Sequence, residues 1–263
     1  MESLVPVKLF WSGGWDSTFR LLQLVLSEKK LVQPYYLIDP RRKSLSNELK
    51  ARREITNRLN REHPETRTLI LPTIYYEVGD IVHDDELKQA YEEHRKTKRC
   101  ESQYLWQAEY CKQFGFQDVE MAAERDDHNI YEIEKRYFGH FVEGTGKPGE
   151  YRIGKAHVNE PIYKIFGWYT FPIYDLSRQD MELEAAKQGW SEYMQMTWFC
   201  QAPLKGRYPC GTCLPCQQAI KKGQCRRIPW WRRLYAGLGL EGVRKWGAKT
   251  VRKIDPGFHQ WQR

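Results

Sequence analysis

Two adjacent glycines, flanked by hydroxyl and carboxyl side chains, form the first group of residues whose spacing could do chemistry. Neighbouring glycines let the backbone bring its N–H groups close to a ligand, and serine and threonine hydroxyls add donors suited to phosphate oxygens. A carboxylate in the same stretch could hold a magnesium ion beside those phosphates. We therefore predict that this stretch binds the phosphates of a nucleotide. Its members are Ser12, Gly13, Gly14, Asp16, Ser17 and Thr18.

The segments on either side of residues 12–18 place this group in a turn between a strand and a helix. Residues 7–11 have the pattern of a short apolar strand, and apolar residues recur at helical spacing from Phe19 to Leu26. The N–H groups at the start of such a helix favour an anion. The stretch lacks the Gly-Lys-Ser/Thr ending of a Walker loop, so the predicted cradle is of another type. A Gly-Gly turn with a serine cap is the alternative that needs no ligand.

Four cysteines crowded into one short segment form the second group. Their spacing is Cys-x9-Cys-x2-Cys-x2-Cys, and four thiolates in tight turns can complete the tetrahedral shell of a structural zinc ion. The same residues could instead hold an iron–sulfur cluster. Because a zinc site made of four cysteines keeps no open coordination position, we expect the metal to stabilise its segment and to take no part in catalysis. The predicted ligands are Cys200, Cys210, Cys213 and Cys216.

The net charge of +8 is concentrated at the C-terminal end of the 263-residue chain. From Cys225 onward there are 10 Lys and Arg against 2 Asp and Glu, interleaved with four tryptophans. Such a tail could neutralise phosphates and stack on exposed bases of a nucleic acid. The alternative is an amphipathic segment that packs its tryptophans on the body of the protein and leaves its charges in solvent.

The location of the protein is predicted from what its sequence lacks. It contains no apolar run of about 18 residues, and its N-terminus has no basic and then apolar signal pattern. We expect a cytoplasmic protein with no membrane partner.

Alternating strand and helix patterns predict an α/β fold with a doubly wound, mostly parallel sheet. In such a sheet ligands bind at the carboxyl ends of the strands, where residues 12–17 would lie. Residues 1–196 would form this domain, residues 197–225 the four-cysteine metal segment and residues 226–263 the basic tail. Residues 73–98 are predicted to be a surface excursion or lid. The predicted strands are 7–11, 34–39, 67–72 and 118–123, and the later helices are 101–114 and 179–188.

The two groups together resemble the 7-cyano-7-deazaguanine synthase family of PP-loop ATP pyrophosphatases. Residues 12–17 match the S-G-G-x-D-S signature, residues 197–200 (Thr-Trp-Phe-Cys) are similar to a T-W-S-C segment, and residues 210–216 match C-G-x-C-x-x-C. The resemblance covers roughly residues 5–220, with specific identity only in these motifs.

The resemblance implies an adenine nucleotide α-hydrolase-like fold and an ATP-dependent ligase that uses ATP, Mg²⁺ and Zn²⁺. Such a ligase adenylates 7-carboxy-7-deazaguanine and converts it with ammonia, through an amide, into the nitrile. By the same resemblance Arg99 would contact phosphate and Asp127 would act as a base or recognise the purine, so these two residues and Asp16 are the catalytic candidates. Residues 128–133 do not match the stretch with which the family recognises the deazapurine.

Two other functions remain open on the sequence. One is a PP-loop enzyme that modifies a base in RNA, DNA or another macromolecule, and the other is a nucleotide-binding module without turnover. The expected partners are a small 7-deazapurine substrate with ammonia or an amine donor, and a nucleic acid at the basic tail. A homodimer is one possible assembly.

Overall fold

The computed structural model describes residues 5–97, 100–123, 142–144, 151–221 and 223–237. The chain divides into two units, Met1–Trp198 and Phe199–Arg263. No helix within the described ranges is both long and apolar enough to span a bilayer.

A parallel five-stranded sheet forms the centre of the first unit. The strands are β1 Val7–Phe10, β2 Val32–Ile38, β3 Ile74–Glu77, β4 Val119–Glu120, β5 Val142–Gly144, β6 Tyr151–Ile153 and β7 Tyr169–Thr170. The strand order of the sheet is β3–β2–β1–β4–β7, and each neighbouring pair is parallel. The two remaining strands, β5 and β6, form an antiparallel pair.

Helices cover both faces of this sheet. They are α1 Trp15–Leu22, α2 Leu45–Glu62, α3 Thr66–Leu69, α4 Asp85–Thr97, α5 Gln103–Gln113, α6 Pro161–Phe166, α7 Arg178–Lys187 and α8 Ser191–Met196. Consecutive residues of β1 point to opposite faces, so Leu9 packs in one apolar core and Phe10 in the other. The core around Leu9 includes α1, α2, α7 and α8, and the core around Phe10 includes α4, α5 and α6. The predicted parallel α/β architecture is confirmed at this level.

The strand predicted at residues 67–72 is wrong. Residues 66–69 form the short helix α3, and the third strand follows later, at Ile74–Glu77, inside the segment predicted to be a lid. The hydroxyl of Thr66 donates to the His63 carbonyl at 2.8 Å and so favours a helical turn there. Pro72 cannot donate to a strand ladder, which delays regular pairing until after it.

The strand order places the turn after β1 at a topological switch point. From β1 the chain crosses to β2 and β3 on one side, and it later returns to β4 on the other side. Ligands of open parallel sheets bind in the crevice at the carboxyl ends of the two strands where the order reverses. Residues 12–14 directly follow β1 and therefore lie at this crevice.

A buried ion pair joins α1 to the sheet. Arg20 donates through Nε and Nη2 to the two carboxylate oxygens of Glu120, at 2.7 and 2.8 Å. Glu28 also accepts from Arg20, at 2.5 Å. Both side chains of the Arg20–Glu120 pair are almost completely buried, so loss of Glu120 would remove the bidentate partner of Arg20 and leave the more exposed Glu28 to compensate its charge.

Replacement Glu120→Ala is therefore expected to lower the free energy of unfolding by about 3 kcal/mol. Urea unfolding followed by circular dichroism measures this value. The control is Glu54→Ala, which removes an exposed pair with Lys50 on α2 and should cost no more than about 0.5 kcal/mol. Equal effects of the two substitutions would show that the buried pair does not stabilise the fold.

Candidate functional site

The predicted glycine turn connects β1 to α1. Gly13 has φ +76°, a left-handed conformation that favours glycine, and Gly14 forms the N-cap of α1 in an extended conformation. The Ser12 hydroxyl accepts the Gly14 N–H at 3.2 Å and lies 3.2 Å from the Ser17 hydroxyl. The Ser17 hydroxyl also accepts the Ser12 N–H at 3.3 Å. The two serines thus hold the turn at the N-terminus of the helix, where an anion is favoured.

Gly13 is held tightly on two sides. A Cβ atom at this position would lie 2.7 Å from Cγ of Arg52 and 3.1 Å from the carbonyl oxygen of Glu48, both in α2. The carbonyl oxygen of Gly13 accepts a hydrogen bond from the Trp198 N–H at 2.9 Å. Trp198 belongs to the Thr-Trp-Phe-Cys segment singled out in the sequence, and its backbone fastens the turn.

A buried arginine lies directly behind the turn. The side chain of Arg52 is 2% exposed, and its Cζ atom lies 4.7 Å from the ring centroid of Trp11, 4.6 Å from Tyr36 and 5.2 Å from Tyr75. Nη2 donates to the Thr73 hydroxyl at 2.9 Å, whereas Nε and Nη1 have no hydrogen-bond partner among the residues that the structure describes. Burial lowers the pKa of Arg52 to about 10, so the side chain is still a cation at neutral pH.

The charges next to Arg52 leave this region positive. The carboxylate of Glu48 accepts from the Tyr36 hydroxyl at 2.8 Å, from the Ser44 hydroxyl at 2.5 Å and from Arg42 Nη1 at 3.2 Å. Its single negative charge thus faces two arginines, Arg42 and Arg52. Burial and the Glu48 carboxylate raise the pKa of Tyr36, so this phenol is neutral and adds no negative charge. Asp39 also faces Arg42 and is paired with Arg41. Among the described residues, three arginines therefore stand against two carboxylates, a surplus of one positive charge beside a turn that favours anions.

A second arginine contacts the first residues of α1. Arg178, the first residue of α7, places Nη2 3.3 Å from Oδ1 of Asp16 and its Cζ atom 4.9 Å from the ring centroid of Trp15. This helix has a well-formed N-terminus, because Ser177 and Asp180 form a reciprocal capping box. Asp16, predicted as a magnesium ligand, is thus engaged by a guanidinium. Arg178 was not among the predicted site residues, although the predicted helix start could have indicated it.

Three predicted residues of the nucleotide site remain, and the structure describes one of them, Thr18. Thr18 is buried, and its hydroxyl accepts from Trp11 Nε1 at 3.0 Å, so it braces the turn from inside. Arg99 and Asp127, the other two catalytic candidates, lie outside the described residues.

The four predicted cysteine ligands come together in the second unit. All four sulfurs lie within 4.8 Å of one another, and the Cys210–Cys216 and Cys200–Cys213 pairs are each 3.9 Å apart. Four sulfurs at about 2.3 Å from one tetrahedral ion would be about 3.8 Å apart. Sulfurs that bind the separate irons of a cluster would stand farther apart, so the distances favour one shared ion.

Backbone N–H groups point at the cysteine sulfurs. Thr212 and Cys213 donate to the sulfur of Cys210 at 3.4 and 3.2 Å, and the Cys210 N–H donates to the sulfur of Cys200 at 3.2 Å. Hydrogen bonds from the neighbouring thiols, first that of Cys200, and from the Thr212 N–H lower the pKa of Cys210, whereas hydrogen bonds among the thiols raise the pKa of Cys200 and of Cys216. Helix α9, Leu214–Lys221, carries Cys216. Such N–H groups would stabilise thiolates, the form in which cysteine binds a metal.

Comparisons with protein-family models, with curated proteins and with solved structures give no match for this chain. The resemblance to 7-cyano-7-deazaguanine synthases stays a prediction based on residues 12–17, 197–200 and 210–216.

Proposed function

We propose that this protein is an ATP-dependent ligase that adenylates a carboxylate, with 7-carboxy-7-deazaguanine and ammonia as the substrates that its motifs match best. The observation that carries this proposal is the glycine turn at the switch point with the uncompensated cation of Arg52 behind it. A polyanion at the turn would supply the negative charge that this region lacks. A triphosphate is an anion of this kind.

The residues of the turn would act by binding and orientation. Backbone N–H groups at the start of α1 and the hydroxyls of Ser12 and Ser17 would hold the phosphates, and Arg178 would add a cation at the same edge. The substrate carboxylate would attack the α-phosphorus and release pyrophosphate, and ammonia would then displace AMP to form the amide. A second adenylation, of the amide oxygen, followed by loss of AMP would leave the nitrile. The donors of the turn would stabilise the charge that builds up on the transferred group.

The proposal includes two kinds of metal ion, which have different roles. Mg²⁺ would neutralise phosphate charge, and Asp16 is the carboxylate that the turn itself supplies for it. Zn²⁺ fits the four cysteine sulfurs and would stabilise the second unit without taking part in the reaction.

Pyrophosphate and AMP release from ATP tests the proposed reaction. Purified protein with 7-carboxy-7-deazaguanine and ammonia is expected to release both products and to form the nitrile, and Asp16→Ala should abolish release. Release that requires added RNA or DNA would favour a macromolecular acceptor. ATP binding without any release would favour a binding module and contradict the ligase proposal.

The metal centre is tested by metal analysis of the purified protein. We expect about one zinc ion per chain and a colourless protein, because Zn²⁺ has a filled d shell. Replacement Cys216→Ser should remove most of the metal. The control is Cys225→Ser, since Cys225 lies outside the four-cysteine group and should keep the full metal content. Iron with sulfide and a brown colour would contradict the zinc assignment.

A further inference from the structure

The sequence of the second unit is strongly basic up to residue 237. Residues 199–237 contain eight Lys and Arg and no Asp or Glu. Four thiolates that bind one divalent ion would contribute a net charge of about −2, so the segment keeps an excess of positive charge. A long-range attraction for polyanions follows. The eight are Lys205, Arg207, Lys221, Lys222, Arg226, Arg227, Arg232 and Arg233.

Large aromatic side chains are exposed in the same unit. Helix α10, Trp230–Gly237, begins with Trp230 and Trp231, which are 66% and 43% exposed. Tyr208, 41% exposed, lies with its ring centroid 6.4 Å from that of Trp231, in an edge-to-face arrangement. Exposed tryptophan is costly in water, and a cluster of such rings indicates a binding surface.

Arginines lie on these rings. Arg232 places its guanidinium 5.6 Å from the ring centroid of Trp231, and Arg207 lies 5.6 Å from that of Tyr208. Cationic and aromatic groups therefore share one surface, which we call the tryptophan–arginine surface and define as Arg207, Tyr208, Trp230, Trp231 and Arg232.

The tryptophan–arginine surface is in direct contact with the cysteine segment. Arg232 Nε donates to the carbonyl oxygen of Cys210 at 2.6 Å. Gly211 has φ +79°, and a Cβ atom there would lie 3.0 Å from the carbonyl oxygen of Arg232. The start of α10 thus packs directly on the turn that carries two of the four cysteines, so a metal at these cysteines would hold the surface in place.

We infer that the tryptophan–arginine surface binds single-stranded nucleic acid. Arginine and lysine would neutralise backbone phosphates, and Trp230 and Trp231 would stack on bases that are not paired. A duplex offers phosphates but keeps its bases stacked on each other, so it can use only the electrostatic part of the surface. This inference does not depend on the ATP reaction.

Fluorescence anisotropy with labelled oligonucleotides tests this inference on the full-length, metal-loaded protein. The probes are oligo(U) and oligo(dT) of about 20 nucleotides, which exceeds the usual site of one module, and a hairpin duplex of similar charge, all in about 50 mM salt. We expect at least one single strand to bind more tightly than the duplex. The comparison of oligo(U) with oligo(dT) identifies RNA or DNA as the preferred ligand.

Substitutions on the surface separate stacking from charge. Trp230→Ala should weaken binding to the single strand by about fivefold or more, because stacking of one base contributes at least about 1 kcal/mol. Arg207→Gln removes an exposed cation of this surface and should reduce the slope of log affinity against log salt. The matched control is Leu234→Ala on the same helix, where a side chain that is 57% exposed should change binding less than twofold.

Three outcomes would overturn the inference. They are no binding of either single strand in low salt, equal binding of the duplex, and an unchanged affinity for Trp230→Ala when its metal content is normal. Binding to anionic phospholipid vesicles that Leu234→Ala weakens, without binding of oligonucleotides, would assign the surface to membranes instead. Because Trp230 is exposed, its replacement should leave the fold intact, and zinc content confirms this.

Discussion

Replacement Gly13→Ala is expected to lower the rate of ATP-dependent pyrophosphate release about a hundredfold. The added Cβ atom would meet Arg52 Cγ at 2.7 Å and the Glu48 carbonyl oxygen at 3.1 Å, and the second of these is backbone that cannot move away cheaply. The turn would have to shift to relieve this contact. A displacement of about 1 Å at a group that positions substrate can lower the rate about a hundredfold.

The control for this prediction is Gly189→Ala. Gly189 has φ +77°, nearly the same as Gly13, but a Cβ atom there would meet nothing within 4 Å. Both substitutions carry the strain of a left-handed alanine, about 1–2 kcal/mol, and only Gly13→Ala adds the contact with α2. Gly189→Ala should therefore lose some stability and keep its activity. Calorimetric titration with ATP would contradict the site assignment if Gly13→Ala bound ATP as tightly as the unmodified protein.

The sequence alone was sufficient to predict those features that depend on residues close together in the chain. The glycine turn after a short apolar strand and the close spacing of four cysteines are both read from contiguous residues, and the structure places both groups as their local patterns indicate. The third strand was misplaced because its position depends on pairing with β2, which brings Tyr36 beside Tyr75. The residues from 67 to 72 have a similar local preference, and only this long-range pairing separates the two candidates.

Arg52 was missed for a different reason. Helix α2 is rich in charged residues, and one more arginine in such a helix normally lies in solvent. A signal was nevertheless present, because Glu48 and Arg52 follow the spacing of Ile55 and Leu59 and so lie on the apolar stripe that the helix buries. Charged residues on a buried stripe indicate a constraint other than packing. Here Cγ of Arg52 lies beside Gly13, and its guanidinium lies on the ring of Trp11, the residue that precedes the glycine turn.

Replacement Arg52→Met is expected to weaken ATP binding about tenfold, equivalent to about 1.4 kcal/mol, and to leave the affinity for adenosine unchanged. Methionine keeps much of the volume beside Gly13 and removes the charge. The attraction between one buried positive charge and a polyanion, even when solvent partly screens it, is large enough to change the binding free energy by this amount. Adenosine carries no phosphate, so it reports whether the rest of the site is intact. Calorimetric titration with both ligands measures the two affinities.

The stability of Arg52→Met separates a role in anion binding from a role in folding. A buried cation whose Nε and Nη1 atoms find no hydrogen-bond acceptor in the described part of the chain is costly, as the lowered pKa of Arg52 also shows, and an apolar side chain of similar size often preserves or raises stability. We therefore expect the Arg52→Met variant to unfold at the same urea concentration as the unmodified protein or at a higher one. Arg52→Lys should recover part of the ATP affinity, and Arg53→Met, on the exposed side of the same helix, should change neither property. Equal losses for ATP and adenosine would show that Arg52 only shapes the turn, whereas a loss confined to ATP would show that its charge is what the phosphates require.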